Sequence, residues 1–280
     1  MARVAEPDPV AGASRPRSVR FARRVGALAL EYLPAALLLV GVVGAWEAWV
    51  RVFDTRPYIL PAPSRIWSAF LEVRGLLPGH IQTTVTEAVV GLFFGAAVGV
   101  VLAVVIASIP LVRRVLYPIL VVSQTVPMIV LAPLLVVWFG FGMTPKVVVV
   151  ALIGFFPIVV STADGLSRAD TDMVGLVRSM GANRAQVLRY VLFPSALPAF
   201  FAGLKIAAAY AVVAAVIGEW VGASSGLGLF ITRAQTAFRV DRVFVAVAVV
   251  ALTSIALFAM VHLMARLASP WMYVHDKEND

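Results

Sequence analysis

Acidic side chains are scarce in this chain, so each can be asked what chemistry it would support. Asp164, Asp170 and Asp172 fall close together in "DGLSRADTD". A membrane phosphotransferase acting on CDP-alcohols would use such a run to hold two cations, but it needs several carboxylates at helical spacing on one surface. The next acid after Asp172 is Glu219, a full apolar stretch away. The downstream ligands are missing, and that chemistry is excluded. The chain has 0 cysteines, which removes thiolate catalysis, disulfides and Cys-ligated metals. It contains no GxxxxGK[ST], nor even a Gly-Lys pair, so it does not bind ATP through a P-loop. The residues point away from an enzyme and towards a chain whose polar groups position or couple something.

The composition says where that happens. Of 280 residues, 61% are hydrophobic and 14% charged, with a mean hydropathy of +0.94. Soluble domains are nearer half apolar and a quarter charged, so this is an integral membrane protein. At about 20 residues per span there is room for five or six spans. The net charge of +8 does not imply nucleic-acid binding, because the basic residues cluster at span ends. Arg3, Arg15, Arg17, Arg20, Arg23 and Arg24 precede the first apolar run, where they act as a topology signal. Residues 1–25 are expected to form a basic cytoplasmic arm. The run that follows is long and carries Glu31 and Pro34, which favours an uncleaved span over a signal peptide.

Apolar stretches predict spans at about 27–50, 83–107, 117–140, 147–163, 199–220 and 243–267 within a membrane domain of residues 26–270, followed by a polar tail at 271–280. Both termini are then cytoplasmic. Before the second span, Pro63-Ser64 reads as a helix start. Ile66, Trp67, Phe70 and Leu71 share one face of that helix, as they would lying on a membrane or packing on neighbouring spans. Gly91, Gly95, Gly99, Ala103 and Ala107 recur every fourth position, as do Gly203, Ala207, Ala211 and Ala215. Such stripes let helix backbones approach closely in lipid. Pro118, Pro127 and Pro133 interrupt the third span around "SQT". This reads either as a kinked helix whose polar groups bond its own freed carbonyls or as a wall of a water-accessible pathway.

The segment from about 164 to 194 is too charged to span and too patterned for a linker. Val187, Leu188, Val191 and Leu192 share a helical face flanked by arginines. Gly181 interrupts that pattern, which suits a sharp turn between two short helices. Pro194 and Pro198 fit the start of an ascending span, where a missing N–H costs little.

Gly181-Ala182, followed by Val191-Leu192-Phe193-Pro194, resembles the cytoplasmic EAA loop of permeases in binding-protein-dependent ABC importers. "LPAPSRIW", "VPMIVLAPLLVVWFGFG", "GASSGLGLFI" and "RLASPW" are similar to the nitrate, sulfonate and taurine branch of that family, in order across about residues 57–271. "GFFPIVVSTADGL" is closest in texture to the thiamine-precursor and riboflavin subgroup. One departure stands out: Gly175-Leu176-Val177 occupy the Glu-Ala-Ala positions, which leaves Asp172 or Asp170 as the nearest acid.

The resemblance implies an all-α type I ABC importer permease of about six transmembrane helices in the bacterial inner membrane. It further implies a second copy of the permease, two ATPase subunits that carry ATP and magnesium, and an extracytoplasmic solute-binding protein. No cofactor is expected in the chain itself. The coupling helix would dock on the ATPase through Asp172, Arg178, Ser179, Met180, Gly181, Ala182, Arg184 and Pro194, with Arg178 and Arg184 as polar contacts. Gln124, Thr125, Trp138, Tyr210 and Glu219 are candidate pathway or gate positions, with a solvated span end as the other reading of Glu219. A thiamine-pyrimidine precursor or riboflavin is the expected solute, with sulfonate, taurine and nitrate open. The rival class is a channel or ion-coupled carrier, which would be expected to place ionisable groups at midmembrane. By sequence, Glu47, Glu87 and Glu219 lie towards span ends.

Overall fold

The computed structural model describes residues 17–270, with side chains from residue 33 onward. Residues 1–16 of the expected arm and the tail at 271–280 lie outside the described residues. All the regular elements described are helical. The first, α1 (Arg17–Val52), begins within the expected arm and runs along the edge of the bundle, touching α2 (Pro63–Val73). Leu37, Leu38, Leu39 and Val40 on it are mostly exposed, as suits a helix facing lipid.

Three helices make the centre: α3 (Leu77–Ser108), α6 (Thr144–Ser167) and α9 (Phe193–Glu219), with α6 packed along both of the others. The small-residue stripes are the reason they can. Gly91, Gly95 and Gly99 face Val150, Ala151 and Ile158 of α6, and a methyl at Gly95 would stand 3.0 Å from the Ala151 carbonyl oxygen. A methyl at Gly203 of α9 would stand 2.5 Å from the Pro157 carbonyl oxygen. Close backbone approach replaces the hydrophobic drive that lipid does not supply. The long α11 (Val240–Ala268) packs against α9, and α10 (Leu227–Thr236) and α2 lie across one end of the bundle.

The third apolar stretch is not one kinked helix. It forms α4 (Pro110–Ser123) and α5 (Met128–Phe139), bent by 97°. Pro127 lacks an N–H and disfavours helix in the residue before it, which ends α4. Ser123 Oγ donates to the Leu120 carbonyl at 2.7 Å and Thr125 Oγ1 to the Val122 carbonyl at 2.8 Å, so both polar side chains at the break bond the chain's own carbonyls. By length and composition five helices can cross a membrane, or six if the bent pair counts as one span.

The expected fifth span also differs. The short helix expected after Gly181 does not stop before the span but runs into it, as α8 (Arg184–Val187), a π-helical turn at Leu188–Leu192 and then α9 without a gap. Pro194 cannot donate to a carbonyl a turn earlier, and the Phe193 N–H reaches back five residues to the Leu188 carbonyl. The wider turn absorbs the proline without breaking the helix.

Candidate functional site

The segment between α6 and α9 carries the expected coupling residues. Asp170 caps α7 (Thr171–Ser179): its Oδ1 accepts from the Asp172 N–H at 2.8 Å and the Met173 N–H at 3.4 Å. That occupies the Asp170 carboxylate, while Asp172 stays exposed in the first turn, where a negative charge suits the helix end. At the other end the Gly181 N–H bonds the Arg178 carbonyl at 2.9 Å and the Ala182 N–H bonds the Val177 carbonyl at 3.2 Å. This pairing is a Schellman motif, and it needs a left-handed residue at Gly181, whose φ is 90°. Asn183 and Gln186 then form a reciprocal capping box that starts α8. The turn at Gly181 stands where the sequence predicts it, and the structure adds the caps on either side of it.

What the turn presents was not fully legible. Met173 and Leu176 of α7 and Met180 at its C-cap are exposed, Met180 at 79%. Leu176 thus replaces the alanine of the family pattern with a larger apolar contact. Arg178 lies on the opposite face. With Arg184 it lines a cavity between the turn and the ends of α3 and α6, and both arginines are also exposed. Ser179 is exposed and donates to the Leu176 carbonyl at 2.7 Å, Ala182 is half-buried, and Pro194 sits in the first turn of α9.

The pathway candidates are scattered. Gln124 and Thr125 lie exposed at the bend between α4 and α5, Trp138 is 67% exposed near the end of α5, and Tyr210 is 59% exposed midway along α9. No hydrogen bond links any two of them among the described residues.

Glu219 is neither a gate at an open surface nor a solvated span end, since it is 1% exposed. One carboxylate oxygen accepts from Thr84 Oγ1 at 2.6 Å and the other accepts from the Gly228 N–H. Thr84 Oγ1 in turn accepts from the Leu227 N–H at 2.9 Å, and His80 Nδ1 accepts from the Gly226 N–H at 3.1 Å. The first turn of α10 is thus capped by side chains of α3 and α9. Gly226 (φ 119°) must be glycine on two counts, because a side chain there would also collide with the Glu219 carboxylate. The glycines of "GASSGLG" are the sequence trace of this clamp. Its acid and threonine are 135 residues apart, so spacing alone could not pair them.

Beside the clamp, Lys146 Nζ lies 2.7 Å from Glu87 Oε1, with both side chains buried. More basic residues stand at this α2/α10 end than a positive-inside pattern predicts, and the structure shows why they are tolerated. Arg51 pairs with Glu47, Arg65 with Asp241, Arg242 with Glu72, and Arg239 with both Glu72 and Asp241. Among the described residues no group of three His, Asp or Glu is placed to hold a metal.

Comparisons with known proteins agree with this architecture. Residues 95–273 match the family described as "Binding-protein-dependent transport system inner membrane component". The formylaminopyrimidine transport permease protein ThiX of Halalkalibacterium halodurans is 36% identical over 242 residues, covering 86% of this chain and 96% of that protein. The riboflavin transport system permease protein RibX of Chloroflexus aurantiacus is 36% identical over 243 residues, covering 85% of this chain and 89% of that protein. Among solved structures, the inward-facing MetNI methionine ABC transporter superposes with a TM-score of 0.63 at 21% identity, over 70% of this chain and 98% of that one. That likeness supports the fold. The chain belongs to the binding-protein-dependent inner membrane components: it is the permease subunit of an ABC importer.

Proposed function

We propose that this permease carries a thiamine-pyrimidine precursor or riboflavin, delivered by a solute-binding protein at its α2/α10 end. ATP hydrolysis by separate subunits would be coupled to it through the α7–Gly181–α8 turn. The exposed Met173, Leu176 and Met180 on a turn fixed by a left-handed glycine carry the coupling assignment. An apolar stripe at the edge of a membrane bundle fits a protein groove better than water. The turn would face the cytoplasm, and two permease copies would enclose the pathway. The choice of solute is supported by ThiX and RibX, two relatives at 36% identity whose names specify those compounds.

Reconstitution of the permease with its ATPase and binding protein tests this directly. ATP-dependent uptake of labelled formylaminopyrimidine or riboflavin, with no uptake of taurine, is the expected result. Uptake of taurine or an aliphatic sulfonate alone would overturn the solute assignment. Because the chain has no cysteine, Met180→Cys supplies a single thiol. It should cross-link to the ATPase subunit, and failure to do so in an active transporter would overturn the docking surface.

A further inference from the structure

We propose that the cavity beneath the coupling turn is a binding site for an anionic phospholipid. The cavity has a volume of about 480 Å³ and is rimmed by Arg178 and Arg184 of the turn, both of them exposed. Below, its wall is Ala107 and Ser108 at the end of α3, Leu166 at the end of α6, and Leu188. It therefore lies where two spans leave the membrane, with a cationic rim and an apolar floor.

Neither arginine has an ion-pair or hydrogen-bond partner among the described residues. At the α2/α10 end Arg51, Arg65, Arg239 and Arg242 meet carboxylates, whereas Arg178 and Arg184 share one cavity with none. Two unpaired guanidiniums converging on one half-apolar cavity are complementary to a phosphate with an attached acyl chain. Each planar fork can donate two parallel hydrogen bonds to a phosphate. Basic pockets between transmembrane helices near the cytoplasmic surface favour such headgroups. The apolar floor selects a lipid over free phosphate, since inorganic phosphate would gain nothing from Leu166 and Leu188. Arg178 faces away from the exposed stripe of Met173, Leu176 and Met180, so a lipid here and an ATPase on the stripe can be bound together.

The site is independent of the solute carried, and its readout is lipid rather than transport. The transporter, assembled with its ATPase, is incorporated in nanodiscs of mixed phosphatidylglycerol and phosphatidylcholine, extracted, and analysed by native mass spectrometry. Phosphatidylglycerol should be retained in preference to phosphatidylcholine. A charge-assisted hydrogen bond contributes roughly tenfold in affinity, so the double variant Arg178→Gln/Arg184→Gln should lose retention by about a hundredfold. Ala185 lines the same cavity. Ala185→Phe fills it without touching charge and should also release the lipid, which keeps the test decisive if the double variant fails to assemble. Equal retention of the two lipids, or undiminished phosphatidylglycerol in Ala185→Phe, would overturn the site. Displacement of the lipid by millimolar inorganic phosphate would overturn its assignment to a phospholipid.

Discussion

Lys146 Nζ and Glu87 Oε1 are 2.7 Å apart, with their side chains only 7% and 4% exposed. The pair ties the start of α6 to α3, and Gly218 of α9 packs directly on the Lys146 backbone, so three helices meet at one ion pair. Removing one partner leaves an uncompensated charge in an apolar interior, at a cost of about 3–5 kcal/mol. Lys146→Met should therefore lower the thermal unfolding temperature in detergent sharply. The double variant Lys146→Met/Glu87→Leu, which removes both charges, should recover most of the loss. Equal destabilisation by the single and double variants would contradict the pairing.

The Glu219 clamp makes a different prediction, because it holds a loop rather than a helix core. Thr84→Val removes both the donor to Glu219 and the acceptor for the Leu227 N–H. An unsatisfied buried group costs about 1–3 kcal/mol. The loss should appear locally, as faster amide exchange at Leu227 and Gly228, while exchange in the middle of α9 is unchanged. Gly226→Ala should be worse than Thr84→Val, since its methyl enters the space of the Glu219 carboxylate.

Glu72 staples α2 to the start of α11 by accepting from Arg239 at its N-cap and Arg242 in its first turn, each at 2.7 Å. Those hydrogen bonds hold its carboxyl below the ordinary glutamate range, and the Arg239 guanidinium is pushed further up by its hydrogen bonds to Asp241 first and Glu72 second. A carboxyl depressed in the folded state stabilises it above the unfolded value, and that contribution fades as pH falls through the folded value. The staple should thus stay closed from neutral pH to below the ordinary 4.5 and open only in stronger acid. A fluorophore on Phe238→Cys, beside Arg239, would report the opening. A transition near neutral pH would contradict the staple. High salt should weaken it at any pH, because Glu72 is 51% exposed.

How much of this was legible in the sequence depended on range. The four-residue stripes of α3 and α9 announced close packing, and the structure places both against α6. Gly181 announced its turn, because a Schellman motif is written in adjacent residues. The break at Pro127 was readable as an interruption but its 97° bend was not, since the angle follows from what α5 packs on. Glu219, Thr84 and Gly228 are joined only in space, so an acid at a span end looked solvated. Arg178 was read as a polar contact to the ATPase, whereas it lines the cavity beside the ends of α3 and α6. Its direction follows from the helical phase of α7 against α3 and α6, which no local pattern records.

Gly181 allows coupling to be separated from folding. A side chain added there meets nothing within 4 Å, so no clash arises inside this chain. The penalty is conformational: φ of 90° is a region L residues rarely adopt, at a cost of about 1–3 kcal/mol. For a β-branched residue the turn relieves that strain by changing shape, which redirects α7 and its Met173–Leu176–Met180 face. Gly181→Val should therefore leave unfolding temperature and dimensions nearly unchanged while ATP hydrolysis no longer drives uptake. Gly203→Val is the control, because its side chain would press on the Pro157 carbonyl and split α6 from α9. It should lose assembly and transport together. If Gly181→Val lost stability as Gly203→Val does, the turn would be a packing element. If it kept full coupled uptake, the turn would not be the point where ATP hydrolysis acts on the permease.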